Sequence, residues 1–337
     1  TLFPYTTLFR SDFPKTSWRL HKFLYAPRLG LNGIQRIHIL KDVLVLCGAG
    51  VGGGSLVYAN TLYVPPETYF RDQQWAHITD WKQELAPFYD LASRMLGVAE
   101  NPYFSPSDEV IKRIAEAQGR GHTFRLTPVG VHFGVGEGVE SADPYFGGAG
   151  PARKGCTHCG ECMTGCRHNA KNTLLKNYLY LAEKNGAEII AGLTVEKLEE
   201  VADGWRITAR KSTGNRRQIF TARHVIVAAG TYNTQKLLHS MRTTHLPKLS
   251  KRLGYLSRTN SESLVGAIMP TTKIDYSRGV AITSSFHPDD VTHVEPVRYG
   301  HGSNSMGLLQ TLMTEGFNPR DRRRQWRKTF LKNPGLL

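Results

Sequence analysis

The stretch GAGVGGGSLVYANTLYVPP, Gly48 to Pro66, directly follows the aliphatic segment RIHILKDVLVLC, Arg36 to Cys47. This order predicts a single β-strand that enters a glycine-rich loop. Five of the seven residues from Gly48 to Gly54 are glycine. Because these residues lack Cβ atoms, their backbone N–H groups can approach a flat ring or a phosphate closely. A flexible loop without a ligand remains the alternative.

The glycines nominally have the spacing of a dinucleotide-binding loop. Gly48, Gly50 and Gly53 satisfy G-x-G-x-x-G after the predicted strand. Pro65 and Pro66, however, lie where the chain should pass from a helix into the next strand of a βαβ unit. The motif is therefore weak evidence by itself, and the rest of the sequence has to decide its meaning.

Composition indicates a globular protein with anionic partners. The chain has 337 residues, 40% of them hydrophobic, and a formal net charge of +15. Such a charge favours nucleotides, phosphates or membrane surfaces. We do not expect nucleic-acid binding, because no recognisable module accompanies the charge. No signal peptide and no apolar run near the roughly 18 residues of a membrane span is present. Four of the five cysteines are clustered, which argues against a distributed disulfide framework, so the expected location is the reducing cytoplasm.

The remaining pattern is a mixture of helices and strands, which predicts an α/β (α+β) fold. One or two helices are expected within 68–97, with Asp80 as a possible N-cap and Gly97 as the stop. Further helices are expected at 107–119, with a cap at Ser107, and at 172–186. Strands are expected at 187–201, 204–212 and 218–230. The end of the last one, HVIVAAG at 224–230, has the composition of a buried parallel strand that leads into a helix. A basic helix is expected from Pro319 onward.

The run GCTHCGECMTGC places four of the five cysteines at C-x2-C-x2-C-x3-C spacing: Cys156, Cys159, Cys162 and Cys166. Thiolates so closely spaced can converge on one metal site. No second run exists and Arg167, not proline, follows Cys166, so all four are expected to serve one site, or three of them a three-iron cluster. An iron–sulfur cluster is favoured. Reduced or disulfide-linked structural cysteines and a zinc site are the two alternatives.

Gly48 to Pro66 resembles the second flavin-contacting segment of the glucose-methanol-choline (GMC) oxidoreductase family, most closely its cholesterol oxidase branch. Similar segments follow in order across about 12–337: DW..EL.PFYD.A..MLGV, DPYFGGAGPARKGC, GCRHNAKNTLLKNYLYLAE, HVIVAAGTYNTQKLL and AITSSFHPDDVTHVEPVRYG. The resemblance implies a Rossmann-like FAD-binding domain with an inserted substrate domain. It also implies oxidation of the CH–OH group of a sterol or another bulky hydrophobic alcohol, by hydride transfer to the flavin, and a place in steroid metabolism.

The resemblance assigns the cofactor contacts residue by residue. The flavin and pyrophosphate would lie against Gly48, Gly50, Gly52, Gly53, Gly54 and Ser55, with Asn60 as a nearby polar contact. The backbone of Val195 would contact the adenine, and Ala229 and Gly230 would pass beside the dinucleotide.

Two residues are candidates for catalysis. Glu295 lies where cholesterol oxidases carry a substrate-pocket glutamate that moves a proton during double-bond isomerisation. A carboxylate in an apolar pocket holds its proton more tightly and can shuttle it near neutrality. A simple ion pair between Glu295 and Arg298 is the alternative. Asn260 is a candidate hydrogen-bonding residue of the pocket, with a turn role as its alternative, whereas His158, His168, His287 and His293 show no triad-like spacing.

The resemblance further implies an internal fragment that is truncated at both ends. Residues 1–11 resemble translated sequencing adapter, 12–240 would be a partial FAD-binding domain with a Cys-rich loop at 150–170, and 241–337 a partial substrate-binding domain. The N-terminal ADP-binding motif and the C-terminal catalytic histidine of the family have no counterpart in the chain. We therefore expect the chain alone to bind FAD weakly and not to turn over.

The sequence alone does not decide which molecule accepts the electrons or whether the protein contacts a membrane. O2 or another acceptor would take the electrons, and a cluster beside the flavin would offer an electron exit, as in a dehydrogenase. A contrasting hypothesis is an iron–sulfur electron-transfer protein without its own substrate. The basic run Arg320 to Lys328, with Trp326 and Phe330, is compatible with peripheral contact to an anionic membrane, although a solvated helix is the simpler interpretation.

Overall fold

The computed structural model describes residues 13–41, 43–267, 273–309 and 319–332. The presumed adapter tail at 1–11 lies outside them. Contacts divide the chain into two compact units, Ile189–Ala267 and the described part of Thr1–Glu188 with Ile268–Leu337. The domain boundary expected at residue 240 stays a prediction.

Seven α-helices are present in the described residues. They are α1 Leu20–Phe23, α2 Glu67–Phe70, α3 Trp81–Leu96, α4 Pro106–Ala117, α5 Tyr178–Lys184, α6 Thr231–Met241 and α7 Pro319–Lys332. Short 3-10 turns occur at Pro27–Leu29, Gly53–Leu56, Gly121–Thr123, Cys162–Thr164, Leu174–Lys176 and Ser305–Leu309.

The strands are short and pair in an antiparallel manner. They are β1 Tyr25–Ala26, β2 Leu31–Asn32, β3 Gln35–Ile39, β4 Leu44–Gly48, β5 Ala99–Glu100, β6 Arg125–Leu126, β7 Pro128–Val129, β8 Glu140–Ser141, β9 Arg153–Lys154, β10 Leu193–Val201, β11 Gly204–Lys211, β12 Arg217–Ala222 and β13 Ser284–Ser285. Five pairs, β1–β2, β3–β4, β5–β7, β6–β13 and β8–β9, and one three-stranded sheet, β10–β11–β12, result. This mixture agrees with the predicted α/β (α+β) class. Over the described ranges no parallel ladder forms, so the Rossmann-like sheet remains an implication of the resemblance.

Local signals predicted helix ends well. In α3 the Asp80 carboxylate accepts a hydrogen bond from the Gln83 N–H at 3.2 Å, and Gly97 ends the helix at a φ of 60°. The cap of α4 is Ser105 and not the predicted Ser107, because Asp108 completes a capping box with Ser105. The helix predicted at 172–186 is shorter than expected and is confined to α5 after a 3-10 turn.

The single strand expected at 36–47 is wrong. This segment forms the hairpin β3–β4, in which Ile37 pairs with Leu46, and the Leu40 N–H donates to the Val43 carbonyl at the turn. The polar Lys41 interrupts the aliphatic run at that turn. Two short strands thereby replace one long one, and β4 still delivers the chain into the glycine-rich segment as predicted.

The unit Ile189–Ala267 is a three-stranded meander with one helix. Leu198 on β10, Ala209 on β11 and Met241 on α6 are its buried residues. The predicted buried strand at 224–230 is not formed: its residues have no strand pairing in the described structure, and Ile226 is 92% exposed. An apolar run becomes a buried strand only where neighbouring strands pair with it, and β12 ends before this run.

The core of the other unit surrounds the cysteine-rich loop. Its buried cluster contains Val129, Val131, Cys156, Cys162, Ala170, Val280 and Ala281. The predicted basic helix from Pro319 is confirmed as α7. Among the described helices, none combines the length and the apolar character required to cross a membrane.

Candidate functional site

The glycine-rich segment folds into a tight loop whose middle glycines face open space. A Cβ on Gly48 would lie 2.0 Å from the Gly53 carbonyl oxygen, whereas Cβ atoms on Gly53 or Gly54 would meet nothing within 4 Å. Gly50 and Gly52 have φ angles of 125° and 103°, which favour glycine. The backbone around Gly53 and Gly54 is therefore bare, as a cradle for a flat ring or a phosphate requires.

Ser55 and Asn60 have structural contacts of their own. The Ser55 hydroxyl donates to the Gly52 carbonyl at 2.6 Å and accepts from the Leu174 N–H at 3.0 Å. Asn60 is fully buried at a φ of 76°, and its amide nitrogen and oxygen have no hydrogen-bond partner in the described structure. Its proximity to Cys162 lowers the pKa of that thiol, against the larger opposing effect of burial. Asn60 thus lies on the cysteine side of this segment, where the sequence did not predict it.

The four clustered cysteines lie around one cavity. All four line it, together with Thr157, His168 and Lys171. All are free thiols, as is Cys47 on β4. Burial raises the pKa of Cys159 to about 12, and burial likewise raises the pKa of Cys156 and Cys162. As bare thiols these groups would be protonated and poorly nucleophilic at neutral pH.

Lys171 ties the glycine-rich segment to the cysteine loop. Its side chain is buried, and its ammonium donates to the carbonyl oxygens of Leu56 at 3.0 Å, Tyr58 at 2.8 Å and Cys162 at 2.8 Å. Burial lowers the pKa of Lys171 to about 7, while Cys162 and Cys166 act in the opposite direction. The sequence gave no sign of this role beyond a lysine shortly after the cysteines.

A second polar cluster surrounds Glu295. The Glu295 carboxylate lies 3.8 Å from Nδ1 of His293, and its side chain is 21% exposed. The His293 ring stacks on His287 at 4.6 Å between centroids and meets the edge of Tyr63 at 4.9 Å. Burial raises the pKa of Tyr63, and the charge of Glu295 raises it further. Glu295, His293 and Tyr63 together can hold and move a proton.

The predicted alternative for Glu295, an ion pair with Arg298, is wrong. Within the described residues no ion pair joins the two side chains. Arg298 instead donates to the Arg278 carbonyl at 2.8 Å and to the hydroxyls of Ser105 at 2.9 Å and Thr283 at 2.8 Å. These hydroxyls in turn donate to the buried carboxylate of Asp108. The charge of Arg298 therefore stabilises this buried network.

The other predicted site residues lie in the unit Ile189–Ala267. Val195 is on β10, next to a β-bulge that shifts the register before Lys197. Gly230 is the N-cap of α6 and, at a φ of 74°, has open space where a Cβ would be. Ala229 donates its N–H to Thr234 Oγ1 at 3.1 Å. Asn260 is exposed, and its amide donates to Glu262 at 2.6 Å.

Tyr63, His293, Lys171 and His168 were not selected from the sequence as site residues. Tyr63 and His293 are far apart in the chain, and only the fold brings their rings together. His168 lies at the cavity. There Cys159, Glu161 and His168 each place one possible metal-ligating atom within 4.8 Å of the other two. The spacing Cys166-x-His168 was the single available signal for that proximity.

Comparison with known proteins extends these observations. A family profile described as GMC oxidoreductase matches residues 151–251. A cholesterol oxidase of Mycobacterium tuberculosis is 59% identical over 319 residues, covering 91% of this chain and 55% of the relative. A cholesterol oxidase of Acinetobacter baumannii is 42% identical and covers 90% of this chain and 57% of the relative. An uncharacterized GMC-type oxidoreductase of M. tuberculosis is 26% identical, over 78% of this chain and 38% of the relative.

The chain spans somewhat more than half the length of the cholesterol oxidases that it matches. The names of these relatives mention no iron–sulfur cluster, so they lend no support to the expectation of one. The glycine-rich segment and the matched segments predicted from the sequence fall inside the aligned region, which reaches across nine-tenths of the chain. On this identity and the profile match, the chain belongs to the GMC oxidoreductase family.

Proposed function

We propose that this chain is part of an FAD-dependent oxidoreductase that oxidises the CH–OH group of a sterol or another bulky hydrophobic alcohol. The 59% identity to a cholesterol oxidase over 91% of the chain carries the proposal. The name of that relative also favours O2 as the electron acceptor over another acceptor. Peripheral membrane contact through α7 and a cytoplasmic location remain expectations from the sequence.

The geometry of the glycine-rich segment supports FAD as the cofactor. Gly53 and Gly54 leave bare backbone where a flat ring can lie, and both glycines would lose this space to a Cβ. Bound flavin would supply the acceptor for the hydride of the alcohol. The part of these residues is to position that ring, whereas Ser55 stabilises the loop through its bonds to Gly52 and Leu174.

Two features of the unit Ile189–Ala267 support contacts to the rest of the dinucleotide. The bulge beside Val195 frees backbone groups from the β10–β11 ladder, so they are available to an adenine. Gly230 precedes the first turn of α6, where unpaired N–H groups favour a pyrophosphate. Each of these assignments is part of the proposal.

Glu295 is the proposed proton-transfer residue. It would move a proton between carbons of the oxidised sterol when a double bond is isomerised. The neighbouring imidazole of His293 and the phenol of Tyr63 orient the carboxylate and limit its access to water. Asn260 keeps its proposed role as a hydrogen-bonding residue of the pocket. Its exposed amide can bind a substrate only when its hydrogen bond to the Glu262 carboxylate breaks.

A flavin reduction assay tests the activity. The full product of the gene that encodes this chain is purified, and cholesterol is added without oxygen while the oxidised flavin band is followed. We expect bleaching with cholesterol and none with its methyl ether, because the ether lacks the hydroxyl that is oxidised. A preparation without flavin, or one that is bleached by glucose or methanol but not by cholesterol, would refute the proposal.

Two variants test the residues. Gly54→Ala is expected to fold normally. It should bind FAD at least about tenfold more weakly, a loss of ~1.4 kcal/mol in binding free energy, because the added methyl group would occupy the place of the flavin ring. Gly214→Ala, another position with open space for a Cβ, is the control and should keep FAD affinity. Glu295→Gln should leave flavin bleaching intact while slowing the isomerised product, and equal loss of both would contradict the assigned role.

A further inference from the structure

The proposed alcohol oxidation makes no use of the cysteine loop, although the loop lies in the buried core of its unit. Its four cysteines line one small cavity that is partly open to solvent. Structural cysteines in a core need no such cavity, since they pack like small apolar residues.

Two of the four sulfurs accept hydrogen bonds from backbone N–H groups. His158 donates to Cys156 at 3.4 Å, and Ala170 and Lys171 donate to Cys166 at 3.3 and 3.4 Å. Such bonds favour thiolates and surround the sulfurs of bound metal centres. The two sets of donors lie in separate turns, one after Cys156 and one after Cys166.

The backbone of the loop bends around the cavity. His158, Gly160, Gly165 and Asn169 have positive φ angles of 52°, 70°, 91° and 64°, and backbone turns of this kind can create concavities lined by N–H groups. His158 is held in this strained conformation by the rings of Tyr103 and Phe133, at 4.8 and 5.9 Å between centroids. Concavities of this kind recur at iron–sulfur sites.

The surroundings suit an anionic group. The ammonium of Lys171 lies beside Cys162 and is fixed by three carbonyl oxygens. Thr157 Oγ1, on a residue that lines the cavity, and His158 Nδ1 are buried without a hydrogen-bond partner in the described structure. Four thiolates on a metal centre would give this ammonium a counter-charge and would occupy the cavity that Thr157 and Lys171 line.

The sulfur spacing distinguishes between metal centres. Tetrahedral zinc with bonds of about 2.3 Å brings its sulfurs within roughly 4 Å of one another. Among the described residues, the one group of three ligand atoms mutually within 4.8 Å is Cys159, Glu161 and His168, and Glu161 is already bound by Arg167 at 2.6 to 3.0 Å. A cluster holds its cysteines farther apart, because iron and sulfide lie between them. We infer that Cys156, Cys159, Cys162 and Cys166 ligate one iron–sulfur cluster.

The test measures iron and sulfide directly. The full chain is purified without oxygen, reconstituted with ferric iron, sulfide and a thiol reductant, and desalted. We expect iron and acid-labile sulfide in equal amounts with a broad visible absorbance, and loss of both in Cys159→Ser and in Cys162→Ser. Wild-type chain that retains neither iron nor sulfide, or that retains zinc without sulfide, would overturn the inference whether or not the buried Cys162→Ser variant folds.

Two controls separate this site from its neighbours. Cys47→Ser, outside the loop, should retain full iron and sulfide. His168→Gln should also retain them, whereas loss of metal in this variant would overturn the inference in favour of the Cys159, Glu161 and His168 group. Since no alcohol or flavin is present in the assay, its failure leaves the proposed sterol oxidation intact, and a failure of sterol oxidation leaves the cluster intact.

Discussion

The ammonium of Lys171 donates to the carbonyl oxygen of Cys162 at 2.8 Å, and it does so from a side chain that is almost fully buried. The same ammonium reaches Leu56 at the end of the glycine-rich segment and lies 4.5 Å from the ring centroid of Tyr58. The Lys171 ammonium thus connects the glycine-rich segment, the proposed flavin contact, to the cysteine loop, the proposed metal site. A substitution in either segment is therefore expected to affect the other through this side chain.

Lys171→Met should destabilise the protein by ~3 kcal/mol, because two buried carbonyl oxygens and one partly buried carbonyl oxygen lose their common donor. Urea unfolding followed by fluorescence measures this change. The control is Lys184→Met, since Lys184 makes an exposed bond to the Ala149 carbonyl at 2.7 Å, and it should change the unfolding free energy by less than about 0.5 kcal/mol. Equal effects of the two variants would contradict the assigned role of Lys171.

Asp108→Asn should cost about 3 kcal/mol, because the buried carboxylate accepts from Ser105, Thr283 and Ser284 and counters the charge of Arg298. An amide presents N–H groups to donors that need an acceptor. Thermal unfolding compares this variant with Glu109→Gln, one residue along α4, whose side chain is exposed. A melting temperature that falls equally in both variants would show that the buried network adds nothing.

The sequence predicted best what depends on neighbouring residues. Asp80 and Gly97 marked both ends of α3 because a cap and a left-handed glycine act within one helical turn. The apolar run at 224–230 was misassigned because a parallel strand depends on pairing partners that its own residues do not specify. The cysteine spacing predicted one shared site. All four cysteines line one cavity, and the metal site itself stays a prediction.

The sequence could not predict contacts between side chains that are distant in the chain. Glu295 was chosen through the family resemblance, but its neighbour Tyr63 lies on a distant segment and His293 had no company in sequence. The sequence did not indicate the role of Lys171 for another reason. Lysine is usually exposed, and burial of its ammonium depends on carbonyl oxygens contributed by three separate residues. No periodicity records such an arrangement.

His293 should make stability depend on acidity. Burial, His287 and Arg125 lower the pKa of His293 to about 4. The unfolded chain takes up this proton near pH 6.5 and the folded protein only near pH 4, so the contribution is present above pH 6.5 and is lost as the pH falls towards 4. Because the ring is partly exposed, solvent screening limits the contribution to ~1 kcal/mol.

Urea unfolding at several pH values measures this contribution. His293→Gln should flatten the decline of the unfolding free energy between pH 6.5 and 4, since glutamine does not titrate. His21→Gln, at an exposed histidine of α1, is the control and should keep the wild-type decline. An unchanged decline in His293→Gln would assign the acid sensitivity to other groups.

Gly155, directly before Cys156, should tolerate no side chain. An alanine Cβ there would lie 1.9 Å from the Gly136 carbonyl oxygen and 2.6 Å from that of Phe133, and backbone atoms cannot move aside cheaply. Gly155→Ala is therefore expected to cost about 3 kcal/mol of unfolding free energy, as overpacking does. Gly54→Ala, where a Cβ meets nothing within 4 Å, should leave the flavin-free protein within ~1 kcal/mol of wild type. Urea unfolding of the two variants without flavin decides the matter, because similar midpoints would mean that the cysteine loop is not packed against residues 133–136.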